Sequence, residues 1–322
     1  MKRRTALASM LALAIPAGLR APEAAEAWPT KPVKLILPYA PGGATDLIGR
    51  PWADRLTQAF GHPFVVDNRG GASGAIGTEA VVKSAPDGYT FLLTPCGPLT
   101  VLPHMRKLPY NAMKDVIPVA RVGDLICGFT IVTALGINSI AELVAYAKKH
   151  PGKLAYGSAG LGTSSHIRIE ALKAAAGIDI LHVPYRGSAD ALNDLLAGHV
   201  HIMNEINPIP HVKTGKLKLL NVNNPTRHPD FPNVPTLTEA GFPGIDVPIW
   251  YALWAPAGTP KEIVEALNRK VVEIAATPEM TQRLRDINTV VPSQTTAEMA
   301  AYRIADSAAY AKIIKDADVR LE

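Results

Sequence analysis

Two short stretches carry the residue types that can hold an anion without a cation. The first is Tyr39-Ala40-Pro41-Gly42-Gly43-Ala44-Thr45-Asp46. The second is Gly157-Ser158-Ala159-Gly160-Leu161-Gly162-Thr163-Ser164-Ser165. Each follows an apolar run that reads as a strand and leads into a stretch of helical spacing. At such a junction the first helical amides have no intrahelical partner, and the helix dipole favours negative charge. Glycine lets backbone approach a ligand closely, and Thr and Ser hydroxyls add donors. In open α/β sheets, ligands sit outside these strand ends. Two such loops suit the gripping of a carboxylate between two lobes. The same residues also allow a plainer reading, in which Thr45 or Asp46 is simply a helix N-cap.

Other chemistries find less support. Gly152-Lys153 and Gly215-Lys216 are each followed by leucine, so the Gly-Lys-Ser/Thr ending of a phosphate-binding loop is missing. Gly157, Gly160 and Gly162 have their spacings in the wrong order for a dinucleotide fingerprint. No G-x-S-x-G elbow marks a nucleophile. His166 and Glu170 share a helix face, but a metal site needs further ligands of fixed geometry, and nothing ties His199 and His201 to that pair. The expectation is therefore no metal and no cofactor. His166 reads as a helix-start residue beside the second loop. An exported hydrolase using His166 with Ser164 or Ser165 is the competing class, and a ligand-presenting sensor of the same fold is a third. Basic residues do not interleave with aromatics, which argues against nucleic acid. Trp52, Trp250 and Trp254 read as core.

The loops must be placed by the elements around them. Residues 33–37 read as a strand, and Leu47, Ile48, Trp52, Leu56 and Phe60 recur at helical spacing up to Gly61-His62-Pro63. Strands at 64–66 and 89–94 and a short helix at 77–83 complete a βαβαβ order, which predicts a parallel sheet with helices on its faces. The pattern then repeats. Strands are expected near 129–132, 154–156, 181–183, 200–205 and 216–222, with helices at 139–150, 166–176 and 189–197. After a proline-rich stretch at 225–248 come a strand at 250–255, a helix at 261–277 and a helical region near 297–315. The reading is two α/β units, the second inserted in the first.

The 322 residues are enough for two lobes, and 48 % hydrophobic content excludes bulk disorder. Residues 1–27 read as an export signal: Lys2-Arg3-Arg4, an apolar run from Ala6 to Leu19, then Ala25-Glu26-Ala27. Pro16 and Gly18 interrupt the run, which is too short to span a bilayer. Cleavage after Ala27 lowers the basic and acidic counts from 33 and 28 to 29 and 26, so the net charge falls from +5 to +3. Cys96 and Cys127 are the only cysteines, and a disulfide and two buried thiols are equally open.

At this point the chain resembles one family closely: the substrate-binding proteins of tripartite tricarboxylate transporters, also called the Bug receptors. The residues that carry the resemblance run from Trp28-Pro29 through Asp46 and through Val66-Asp67-Asn68-Arg69-Gly70-Gly71-Ala72. They continue with Pro86-Asp87-Gly88-Tyr89, Tyr156 to Gly160, and His182-Val183-Pro184-Tyr185-Arg186-Gly187. Val234-Pro235-Thr236, Glu239-Ala240-Gly241 and Ala255 to Pro260 complete the set, which spans nearly all of the chain after residue 27.

The resemblance implies a periplasmic binding protein of type II-like fold, with two Rossmann-like lobes joined by a two-segment hinge near 125–130 and 223–248. The expected lobes are residues 28–127 with 242–322, and residues 128–241. It further implies a monomeric receptor, not an enzyme. Such a receptor closes on a small organic mono- or dicarboxylate and delivers it to membrane permease subunits. The matching ligand positions are Ala40, Gly43, Thr45 and Asp46 in the first lobe, with Ser73 and Thr94 on the same rim. In the second lobe they are Ser158, Gly160, Gly162 and Thr163. Like charges repel, so Asp46 suits helix capping or a bridging water better than direct contact. The loop from Asn204 to Asn207 faces the far end of the ligand in such folds. There Glu205 would disfavour a second carboxylate and favour an amine or hydroxyl, although a solvated strand end is an equal reading. His201 and Tyr310 depart from the family pattern, which commonly has an acidic residue and a tryptophan there; the second change is expected to affect only packing.

Overall fold

The computed structural model describes residues 28–228 and 230–320. The export signal expected at residues 1–27 lies outside the described residues. Strand β1 (Val33–Leu37), helix α1 (Ala44–Phe60), β2 (Phe64–Asn68), α2 (Ala75–Val82) and β3 (Thr90–Pro95) form the opening βαβαβ run. Then comes β4 (Val116–Leu125), a ten-residue strand that sequence reasoning missed. Its apolar alternation is broken by Arg121 and Asp124. These residues pair with each other, and the Arg121 guanidinium lies 3.9 Å from the centroid of the Tyr302 ring.

The chain next builds a second sheet: β5 (Thr130–Val132), α3 (Ile140–Lys149), β6 (Ala155–Ser158), α4 (Ser164–Ala176), β7 (Leu181–Pro184), α5 (Ser188–Ala197), β8 (Ile202–Met203), α6 (Ile209–Lys213) and β9 (Leu217–Leu219). Strand β8 has only two residues, because the chain turns away at Asn204 and Glu205. It returns as β10 (Ile249–Pro256), α7 (Lys261–Ala275), α8 (Pro278–Asp286), β11 (Thr289–Val290) and α9 (Thr296–Asp316).

The first sheet has the order β11-β4-β10-β3-β1-β2 and the second β7-β6-β8-β5-β9. β1 pairs parallel with both β2 and β3, while β10 runs antiparallel between β3 and β4. Every residue of β10 is buried, as a strand flanked on both edges and covered on both faces requires. Trp52, Trp250 and Trp254 are fully buried, consistent with their reading as core. In the second sheet β6 lies parallel between β7 and β8.

Two connections join the sheets, one between β4 and β5 and one between β9 and β10. They approach closely at Gly128, where a Cβ would lie 1.6 Å from the Asn221 carbonyl oxygen, so only glycine fits. The Asn223 amide donates to Cys127 O at 2.7 Å and the Phe129 amide to Asn221 Oδ1 at 2.9 Å. Cys96 and Cys127 are both buried free thiols, so the disulfide is not formed.

Candidate functional site

Helices α1 and α4 start at the carboxyl ends of β1 and β6, each a strand flanked on both sides within its sheet. The first turns of both helices open onto one cavity. It is lined by Tyr39, Gly43, Ala44, Thr45, Pro95, Ala159, Thr163, Ser164, Ser188, Glu205, Ile249 and Tyr251. The cavity volume is about 20 Å³, room for one water. The lobes are therefore drawn together. The Ala44 amide donates to Ser188 Oγ at 2.9 Å, and Ser73 Oγ donates to the Leu161 carbonyl at 2.6 Å, both across the lobe contact. Gly160 adopts φ +126°, and a Cβ there would lie 2.7 Å from Ser73 Oγ.

Local sequence explains how each loop is held. Asp46 turns back on its own loop and accepts from the Gly42 amide at 2.8 Å, Arg50 Nε at 2.9 Å and Asn68 Nδ2 at 2.9 Å. Burial alone would push its carboxyl up. These donors outweigh burial and hold it below the usual carboxylate range. Asp46 is thus a brace and takes no part in the cavity lining. Thr163 caps α4: its hydroxyl accepts from the His166 amide at 3.4 Å and donates to Gly160 O at 2.8 Å. Among the described residues the amides of Thr45, Ser164 and Ser165 make no hydrogen bond, which leaves donors from both helices at the cavity.

Beneath the second loop lies a ring stack. Tyr156 stacks on His182 at 4.6 Å between centroids, and His182 lies 4.4 Å from His166. His182 Nε2 is 2.7 Å from Ser158 Oγ, and His166 Nδ1 accepts the Gly162 amide at 3.2 Å. Burial, with the positive charge of Lys173 beside it, lowers His166 to about 4. Burial lowers His182 to about 3, helped by His166 and Lys173 and opposed by Glu170. Both rings are neutral at pH 7 and act as loop supports.

Of the residues singled out from sequence, Gly43, Thr45 and Thr163 line the cavity. Ala40 packs near Gly187 of the other lobe, while Ser73, Ser158, Gly160 and Gly162 shape the loops behind. Thr94 and Asn204 are turned elsewhere. The Thr94 hydroxyl donates to Pro95 O at 3.1 Å, and Asn204 Oδ1 accepts from Asn223 Nδ2 at 2.6 Å, within the crossing between the sheets. Tyr251 and Ser188 line the cavity without having been singled out. Tyr251 sits in an all-apolar run with no local signal. Ser188 follows Pro184 to Gly187, a third strand-to-helix junction that was legible.

The cavity's two phenols, Tyr39 and Tyr251, are raised well above the usual tyrosine value by burial and neighbouring groups, so they remain hydrogen-bond donors. Burial pushes Glu205 up to about 7, against the opposing pull of Ser165 and the charge of Arg168. Arg168 is itself fully buried. Its Nε donates to Val247 O at 2.8 Å and its Nη2 both to Val247 O and to Tyr310 OH, the latter at 3.0 Å, leaving Nη1 unpartnered. Tyr310 therefore does more than pack, because its hydroxyl accepts from a buried guanidinium. Among the described residues no cluster of metal-ligating side chains occurs, and no helix is long and apolar enough to cross a membrane.

A cleft of this construction, with a helix N-terminus offered by each of two sheets, matches known proteins across the chain. Residues 48–319 match the profile described as tripartite tricarboxylate transporter family receptor. The chain belongs to that family. It is a family of solute receptors rather than enzymes. Protein BugT of Bordetella pertussis is 39 % identical over 261 residues, spanning 80 % of this chain and 80 % of its own. The structure of R. palustris Rpa4515 with adipate has a TM-score of 0.87 at 34 % identity, covering 91 % of this chain and 99 % of that one. MatC from Rhodopseudomonas palustris with bound malate has a TM-score of 0.85 at 29 % identity, covering 89 % and 100 %. The two-lobed fold of this receptor family is thus the fold of this chain.

Proposed function

We propose that this family member is an exported solute receptor that captures a small organic carboxylate between its lobes and hands it to a tripartite membrane transporter. The observation that carries this reading is the meeting of two helix N-termini, one from each sheet, at a single cavity. Several N–H groups and the helix ends share the charge of a carboxylate without an arginine salt bridge. Two relatives solved with adipate and with malate support the same ligand class. Residues 1–27 are the export signal, the mature protein is a periplasmic monomer, and permease subunits are its membrane partners. The lobes divide at 127/128 and 241/242.

In this reading Gly43, Thr45 and Thr163 touch the ligand together with Ala44 and Ser164. Ala40, Asp46, Ser73, Ser158, Gly160 and Gly162 hold the loops, while Thr94 and Asn204 are turned away to Pro95 O and Asn223. The ligand stabilises the closed form by its differential affinity for that state, and the cavity must open to admit it. A thermal-shift screen of mono- and dicarboxylates, amino acids and aromatic acids on the purified protein tests the reading. At least one carboxylate is expected to raise the melting temperature. Shifts with sugars or metals and none with any carboxylate would overturn it.

A further inference from the structure

Glu205 sits where a plain carboxylate receptor has no use for it. It lies on the segment joining β8 to α6, lines the same cavity as the first turns of α1 and α4, and is only 6 % exposed. Among the described residues no lysine, arginine or histidine forms an ion pair with it. The charge of Arg168 reaches it, but Arg168 Nε and Nη2 are committed to Val247 O and Tyr310 OH, and its unpartnered Nη1 makes no ion pair with Glu205. The other polar groups that act on it are the Ser165 hydroxyl and the phenols of Tyr39 and Tyr251, all neutral. Where Glu205 is ionised, a carboxylate gripped by the two helix ends would share a small, poorly solvated cavity with this like charge, where repulsion is strong. A dicarboxylate would bring two such charges. A ligand that carries its own positive group reverses the sign of that interaction. Its carboxylate goes to the helix ends and its cationic group to Glu205.

Resting on the carboxylate reading above, we propose that Glu205 selects a carboxylate accompanied by an ammonium group, a small amino acid rather than a dicarboxylate. The walls of Tyr39, Pro95, Ile249 and Tyr251 limit what else the cavity takes. Rejection of amine-free acids comes from Glu205 itself: a buried carboxylate held ionised by an ammonium is matched, and one facing a second acid is penalised.

Matched acids that differ only in one substituent separate ammonium from hydroxyl and from hydrogen: glycine, glycolate and acetate; alanine, lactate and propanoate; aspartate, malate and succinate. Titration calorimetry of the purified protein at pH 8 is expected to show an amine-bearing acid binding about tenfold or more tighter than both of its counterparts. Glu205→Gln is expected to erase that preference while the ligand-free melting temperature is kept or raised. If a hydroxy acid or an unsubstituted acid binds as tightly as its amine-bearing counterpart, the inference is overturned while the carboxylate reading stands. If Glu205→Gln retains the preference, the assignment to Glu205 is overturned. If no carboxylate binds at all, both readings fall. The wild-type comparison decides by itself should the variant not fold.

Discussion

Closure can be measured at one hydrogen bond. Ser188 Oγ accepts the Ala44 amide across the lobe contact at 2.9 Å, and Ser188 is 4 % exposed. It is the first residue of α5, whose N-cap position is Gly187, so truncating its side chain uncaps nothing. In an open conformation the Ala44 amide meets water whether or not the hydroxyl is present. In the closed one, Ser188→Ala leaves that amide buried without an acceptor. An unsatisfied buried donor costs about 1–3 kcal/mol. Because ligand capture requires closure, the penalty passes into the dissociation constant as a loss of roughly 5- to 150-fold. Titration calorimetry with the carboxylate that gives the largest thermal shift measures it, with circular dichroism to establish that the variant keeps its fold. A dissociation constant within about twofold of wild type would refute the reasoning. It would mean either that the ligand-bound form keeps these lobes apart, or that the ligand itself takes the Ala44 amide.

Further tests follow from neighbouring contacts. Gly160→Ala places a Cβ 2.7 Å from Ser73 Oγ at φ +126°, so it should weaken binding about tenfold or more with only modest loss of stability; unchanged affinity on calorimetry would remove the Ser73–Leu161 contact from the closure mechanism. Tyr310→Phe removes one of the two acceptors of Arg168 Nη2, leaving it Val247 O alone beside an already unpartnered Nη1, and should cost about 1–3 kcal/mol in urea unfolding; an unshifted midpoint would mean the tyrosine only packs. His166 and His182 have folded values of about 4 and about 3 against an ordinary 6.5. Neutral buried histidines give stability that is complete above the unfolded value and lost as pH falls through the window toward the folded values, about 2 kcal/mol for the His166 ring by pH 5 and less for the more exposed His182. His182→Gln should therefore flatten the fall of the urea midpoint between pH 7 and pH 5 relative to wild type, and parallel slopes would sink the assignment.

What was legible from sequence is local. The two glycine-rich loops read as strand-to-helix junctions because the apolar run, the glycines and the onset of helical spacing all fall within about fifteen residues of chain. Both are such junctions in the structure, ahead of α1 and α4. Thr45 and Asp46 were open to reading as caps, but the N-cap position of α1 is Gly43 and the capping side chain is Thr163, ahead of α4. β4 escaped because Arg121 and Asp124 break its pattern, and their partnership depends on a ring from α9.

The sequence by itself determined the two α/β units, the placement of free helix amides and the family to which the chain belongs, since each rests on short-range patterns or their order. Only the tertiary structure decided what faces what. Ser188 meets Ala44 from 144 positions away. Asn204 bonds Asn223 within the crossing between the sheets while its neighbour Glu205 lines the cavity. Tyr310 receives a guanidinium from the other lobe's α4. No spacing rule encodes such pairs, because they arise from burial and from hydrogen-bond satisfaction where distant segments meet. In such contacts Glu205 becomes a buried carboxyl beside two helix ends, although by sequence it was as readily a solvated strand end.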